Sequence, residues 1–248
     1  MPERAWEDEF TLLCERCGYV IEGLEPSGNC PECGKAIAES LPERRVGTAW
    51  QRKPSVLSFY DLAMATLLHP LGTLDAMRFS RTSGQLGATY AAIAAVGVAA
   101  GAFVASVNSF ARPFDRVGVV GLVVAGVVAI VSWAISVVAL MFLTWVETRG
   151  LVFFAARRGG RVTPEVARAI TAHGSVGWVI AGIGAAVALF PMSRVEAAGH
   201  GTALDASVWA IGVLLVIAGF LFFETFAWLG LRRLKYANRA RPSTTMEA

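Results

Sequence analysis

Long apolar runs alternate with short charged segments over most of this chain. Thirty uncharged residues lie between Arg81 and Arg112, with their apolar centre at Leu86–Phe110, and another thirty lie between Arg116 and Glu147. A third uncharged run covers Ala169–Ser193 and carries His173 near its start, and a fourth covers Ala206–Leu231, interrupted by Glu224. Each exceeds the roughly 20 residues a helix needs to cross about 30 Å of hydrocarbon. None shows the polar face that a soluble amphipathic helix presents every turn. The pattern predicts four spanning helices, at about 86–110, 117–146, 172–192 and 206–230.

The stretch before the first run reads differently. Val56–Leu74 has apolar residues at Val56, Leu57, Phe59, Tyr60, Ala63, Leu67, Leu68 and Leu71, with Asp61 and His69-Pro70 interrupting. That spacing suits a helix lying in the membrane interface. It should end near Leu68, because Pro70 disfavours helix in the residue before it. A fifth membrane element over 56–74 stays open. Thr163-Pro164-Glu165 reads as an N-cap, a proline at the first helical position and an acid in the first turn, so a helix begins at Pro164 and can run on into the third span.

Composition agrees. The 248 residues are 55% hydrophobic and 17% charged, with 25 glycines, whereas a soluble domain is about one quarter charged. Small residues let membrane helices approach closely. Gly97 and Gly101 form a GxxxG in the first span, and Gly177 and Ala181 a small-xxx-small pair in the third. Packing within one chain is the favoured use of both, and self-association of the spans stays open.

The net charge of +3 hides two opposed halves. Residues 1–40 carry nine acids against three bases, and all that follows sums to +9. Lys and Arg number six in 41–81, five in 147–168 and five after Leu231, but two in 112–116 and one in 194–205. The positive-inside rule then puts both termini and the middle loop in the cytoplasm, as an even number of spans requires. Residues 1–13 lack the basic and apolar order of a cleavable signal. The basic tail, with Arg232, Arg233, Lys235, Arg239 and Arg241, would be drawn to anionic lipid. It would also be drawn to the acidic head.

All four cysteines sit in that head, as Cys14-Glu-Arg-Cys17-Gly and Cys30-Pro-Glu-Cys33-Gly, 12 residues apart. Two residues between thiolates let both point at one ion, and the glycine after each pair lets the chain turn. Four such sulfurs close a tetrahedral shell. The expected occupant is one structural Zn2+, with iron in a rubredoxin-like site as the main competitor and disulfides behind. A head of about 30 residues is too small for a core, so metal binding would supply most of its folding free energy. Through Cys14, Cys17, Cys30, Cys33 and the CPxCG form of the second pair, residues 11–36 resemble the zinc-ribbon family. That resemblance implies a small β-type ribbon and leaves its partner undetermined. Nucleic acid is a poor match, because phosphate recognition needs Lys and Arg and the head is strongly acidic.

The short helix ending Leu68-His69-Pro70, then Phe79, then Ala/Gly/Val-rich spans with short loops, resembles the Yip family of integral membrane proteins over residues 55–235. The resemblance implies a non-enzymatic membrane protein acting through partners, with trafficking roles in eukaryotic members. That family's usual five spans differ from the four read here.

Three ionisable residues remain near the membrane. Glu147, His173 and Glu224 fall at similar depth on the cytoplasmic side and could form a cation or proton path, since intramembrane charge is costly. The plainer reading is that each snorkels or pairs with Arg149, Arg232 or Arg233. His200, between two glycines, reads as solvated. No Walker loop, nucleophile elbow, HExxH or Ser/His/Asp grouping appears, so no enzyme is expected. The organisation is therefore an acidic zinc-ribbon head (1–40), a basic linker (41–55), an interfacial helix region (56–81), a four-span all-α membrane domain (82–231) and a basic cytoplasmic tail (232–248). The expected function is a membrane scaffold or adaptor whose ribbon binds a protein partner. The alternative is a small transporter or channel-like protein using Glu147, His173 and Glu224.

Overall fold

The computed structural model describes residues 8–79, 83–111, 118–198 and 202–241. Eight α-helices form among them: α1 (Ala49–Arg52), α2 (Val56–Leu68), α3 (Pro70–Ala76), α4 (Ser83–Ala111), α5 (Val119–Arg157), α6 (Pro164–Gly174), α7 (Val176–Ala198) and α8 (Ala203–Arg233). Four stretches are long and apolar enough to cross a membrane: Gly84–Asn108, Val119–Arg157, Pro164–Pro191 and Ala203–Arg233. The protein is an all-α integral membrane protein with four spans, as the hydropathy pattern predicts.

Two compact units divide the chain. One combines Met1–Ser83, Glu147–Ile170 and Ala227–Ala248; the other combines Gly84–Val146 and Thr171–Phe226.

The second unit is built around α7. The apolar window of Pro164–Pro191 is 56% buried, against 6% for that of α5. Small residues explain the difference. A Cβ on Gly97 of α4 would strike the Gly182 carbonyl, and one on Gly182 would strike that of Ala94. On another side of α7, Gly177 meets Gly219 of α8, and Gly184 meets Gly212 and Val216. Backbones therefore touch on both sides of α7, where only glycine fits. Both small-residue motifs read from the sequence serve contacts within one chain. Above these crossings Trp178 stacks on Phe223 with centroids 4.3 Å apart, and its indole N–H donates to Thr144 Oγ1 at 3.0 Å. Trp133 of α5 donates to the Ala92 carbonyl at 3.1 Å.

In the first unit, local signals place most helix ends. Ser55 caps α2 by accepting from the Ser58 N–H at 3.1 Å. That helix ends at Leu68 as expected, and Pro70 then starts α3 at its first position, a use of proline that needs no N–H. Thr163 caps α6 by accepting from the Val166 N–H, so the helix begins at Pro164. Along α2 the outward row is apolar: Val56, Leu57, Tyr60 and Leu68 are all exposed, while Ser58, Leu62 and Thr66 are buried.

The third and fourth apolar helices, Pro164–Pro191 and Ala203–Arg233, start before the expected 172 and 206, and the end of the second differs most. The hydropathy pattern predicts the second span at 117–146, but α5 continues to Arg157, 39 residues in all. At 1.5 Å per residue that is roughly 58 Å, about twice the hydrocarbon thickness. The charges at Glu147 and Arg149 end the apolar run without ending the helix. The stop comes at Gly159, with φ +65°, where the Gly160 N–H returns to the Ala155 carbonyl at 2.8 Å, a left-handed helix closure.

The glycine contacts are directly testable. Gly182→Leu should destabilise the folded protein in detergent by about 3 kcal/mol or more, because backbone cannot yield. Gly126→Leu, where an added side chain meets open space, should leave thermal unfolding unchanged.

Candidate metal centre and its clamp

The head repeats one turn twice. In the first knuckle the Cys14 N–H donates to the Tyr19 carbonyl, the Gly18 N–H to Cys14 and the Ile21 N–H to Leu12, at 2.8, 2.8 and 2.9 Å. Sixteen residues on, Cys30 donates to Lys35, Gly34 to Cys30 and Ile37 to Gly28, at 2.8, 2.9 and 3.0 Å. Single antiparallel bridges, Leu13 to Val20 and Asn29 to Ala36, close the two turns. The β character expected of the head is confined to these bridges, and no longer strand forms among the described residues. Gly18 and Gly34 have φ of +81° and +71°, a left-handed conformation that favours glycine.

This geometry brings the four sulfurs together. Cys14 Sγ lies 3.5 Å from Cys33 Sγ and Cys17 Sγ 3.6 Å from Cys30 Sγ, and all four fall within 4.8 Å of one another. Tetrahedral M–S bonds near 2.3 Å would separate sulfurs by about 3.8 Å, so the set fits a single ion. All four thiols are free. Cys14 and Cys30 themselves join Ile21 and Ile37 in a small buried cluster, with Leu12, Cys33 and Leu41 against it, far too little to hold a head together unaided.

The thiols titrate unequally. Burial raises Cys14, but the backbone N–H groups of Cys17 and Arg16 and the neighbouring thiols outweigh it and bring it down to about 7. Burial pushes Cys17 up to about 12, helped by the other three sulfurs and opposed by the backbone at Tyr19. Four thiolates this close repel one another unless a cation neutralises them. The arrangement can therefore bind a metal ion, in a shell with no open position for catalysis.

Three segments of the same unit hold the head. Asn238, 1% exposed, accepts from the Leu13 N–H at 2.9 Å and donates to the Leu13 and Ser40 carbonyls, both at 2.6 Å. Arg161, after α5, donates to the Thr11 carbonyl at 2.5 Å and to Asn238 Oδ1 at 2.8 Å. Burial lowers its pKa, against a raising effect from Asp8 and Glu9. Arg45 lies in the basic stretch expected to act as linker, yet it is buried. It pairs with Glu15 at 2.8 Å, donates to the Leu74 carbonyl at 3.0 Å and covers the Phe79 ring. Outside this polar core, Arg239 pairs with Glu9 at 3.1 Å and Arg241 with Asp8 at 3.3 Å, the charge attraction anticipated between tail and head. The Tyr236 ring packs 2.8 Å from where a Gly18 Cβ would lie.

The membrane-side ionisable residues have unlike surroundings. Glu147 is half-buried and Glu224 is exposed. His173 is fully buried and not without a partner. Among the described residues, the four cysteines are the one group of three or more potential ligands at metal-binding distance. His200 lies outside the described residues. Sequence reasoning missed Asn238 and Arg161, since a lone Asn in a tail and one more Arg in a loop carry no pattern.

No family model, curated protein or solved structure matches this chain.

Elemental analysis should find one metal ion per chain, absent from a Cys30→Ser/Cys33→Ser variant and released from the wild type on acidification, because protons compete for thiolates. Asn238→Ala should orphan three buried backbone groups and cost the head about 3 kcal/mol. Limited proteolysis would then cut the head earlier than in the wild type, with the spanning helices still protected.

Proposed function

We propose that this protein is a non-enzymatic, multi-pass membrane scaffold that offers a zinc-stabilised ribbon to a protein partner in the cytoplasm. The observation that carries the reading is the clamp: Asn238 and Arg161 bond the backbone of the head, so it is fastened rather than tethered. A fastened head presents a fixed surface. What it leaves outward is the loop between the knuckles, where residues 22–27 are all exposed. Leu24 and Tyr19 are both 39% exposed, and Glu25 and Glu32 are exposed acids of the same head, while Glu22 is paired with Arg241 at 3.7 Å. A basic partner with an apolar contact would complement that surface.

Zinc suits an all-sulfur, closed shell better than a redox-active ion does, because a purely structural site needs no change of oxidation state. The repeated knuckle supports the ribbon reading. The short helix before the apolar spans supports a Yip-like layout, from whose usual five spans the four here depart, and the outward apolar row of α2 suits a helix resting in the interface. Basic loops favour the cytoplasmic orientation, where a reducing milieu keeps thiols available to metal.

A photo-crosslinking residue at Leu24 of the full-length protein in native membranes tests this. A discrete protein adduct is expected, lost in the Cys30→Ser/Cys33→Ser variant. No adduct, together with a cellular phenotype abolished by Glu224→Gln, would replace the scaffold with the transporter reading.

A further inference from the structure

Beside the metal centre, and within the same unit, lies a cavity of about 390 Å³ walled by both knuckles, the turn at Arg44 and the ends of α3 and α8. We propose that it binds a phosphate-bearing anion. The site adds a small-ligand function to the proposed scaffold and does not depend on a protein partner.

Charge makes the case. The lining holds five bases and three acids, leaving two positive charges in excess. Two of the acids are already engaged. Glu15 is paired with Arg45 at 2.8 Å and Lys35 at 3.9 Å. Asp75 is held by Arg233 through two hydrogen bonds of 2.9 Å. Arg16, Arg44 and Arg232 have no carboxylate partner among the described residues. Arg44 donates to the Glu39 carbonyl at 2.8 Å, and Arg232 covers the Trp228 ring at 4.7 Å. All three are exposed toward solvent. Guanidinium groups converging on one cavity match the oxygens of a phosphate, which they can bond in pairs.

Position adds a second argument. Arg16 lies inside the first knuckle, between Cys14 and Cys17, and Lys35 follows the second. The turns that gather the sulfurs therefore also aim two of the cavity's cations. Arg232 and Arg233 are the last residues of a helix long and apolar enough to cross a membrane, and basic residues at such an end are attracted to anionic headgroups. The phosphate can come from such a headgroup or from a soluble phosphate compound. The cavity chemistry is the same for both.

The full-length, metal-loaded protein in neutral detergent would be titrated with dioctanoylphosphatidylglycerol, with inorganic phosphate, and with dioctanoylphosphatidylcholine as the zwitterionic reference, by native mass spectrometry and calorimetry. Saturable binding of an anionic probe is expected, weakening as salt rises. Arg44→Gln/Arg232→Gln should weaken it about 100-fold, roughly tenfold per guanidinium, with metal content unchanged. Glu39→Gln, which removes the unengaged carboxylate of the lining, should tighten it several-fold, an effect that damaged folding would not produce. Arg157→Gln/Arg158→Gln removes the same charge from exposed positions outside the cavity and should change nothing. Phosphatidylglycerol binding that phosphate does not displace would assign a lipid headgroup, and displacement by phosphate a soluble ligand. Absence of saturable binding to both anions, or equal losses in the two double-arginine variants, would overturn the proposal.

Discussion

Inside a bilayer a backbone N–H or C=O has no water to bond, so every residue at that depth must satisfy its own peptide groups. That constraint fixes the second unit as helices before any side chain is considered. It also removes the usual driving force for packing them, because a lipid tail is as apolar as leucine. What remains is close approach. Gly97 against Gly182, and Gly177 against Gly219, let backbones come within van der Waals reach, and α7 becomes the centre because it carries small residues on more than one side. The largely unburied α5 contributes mainly through Trp133 and Thr144, whose hydrogen bonds reach α4 and α7.

Water imposes the opposite problem on the head. It has a small buried cluster around Cys14, Ile21, Cys30 and Ile37 and an acidic surface, and neither can hold about 30 residues in one conformation. Two devices compensate. The repeated knuckle brings four sulfurs to within 4.8 Å, where a cation would bind them all at once. The tail and the α5–α6 connection supply a polar clamp centred on Asn238 and Arg161, wrapped by Arg239 and Arg241 facing Glu9 and Asp8. The neutral hydrogen bonds are buried and directional, whereas the outer ion pairs are half-exposed and contribute little each. The attraction between acidic head and basic tail helps bring them together, and Asn238 sets the geometry.

Much of this was legible in the residues. Uncharged runs gave the four apolar helices because hydrocarbon excludes charge, and the spacing of Cys14, Cys17, Cys30 and Cys33 foretold that their four sulfurs meet within 4.8 Å. Pro70 and Thr163-Pro164 marked helix ends because their chemistry acts on the adjacent backbone. The reach of α5 to Arg157 was not legible, since charge marks where lipid ends and says nothing of where helix ends. Arg45 carries no such mark, because a basic residue among others in a polar stretch does not show along the chain that it pairs with Glu15 at 2.8 Å.

By itself, then, the sequence determined what depends on neighbours along the chain: hydropathy over some twenty residues, a two-residue gap between cysteines, a glycine that must turn left-handed. Only the tertiary structure decided which distant residues meet. Asn238 reaches Leu13 across 225 positions and Arg161 reaches Thr11 across 150, and the cavity beside the sulfurs draws its cations from both knuckles and the end of α8. Such contacts rest on single side chains with no periodicity and no motif. They exist because folding has already brought their backbones within hydrogen-bonding distance.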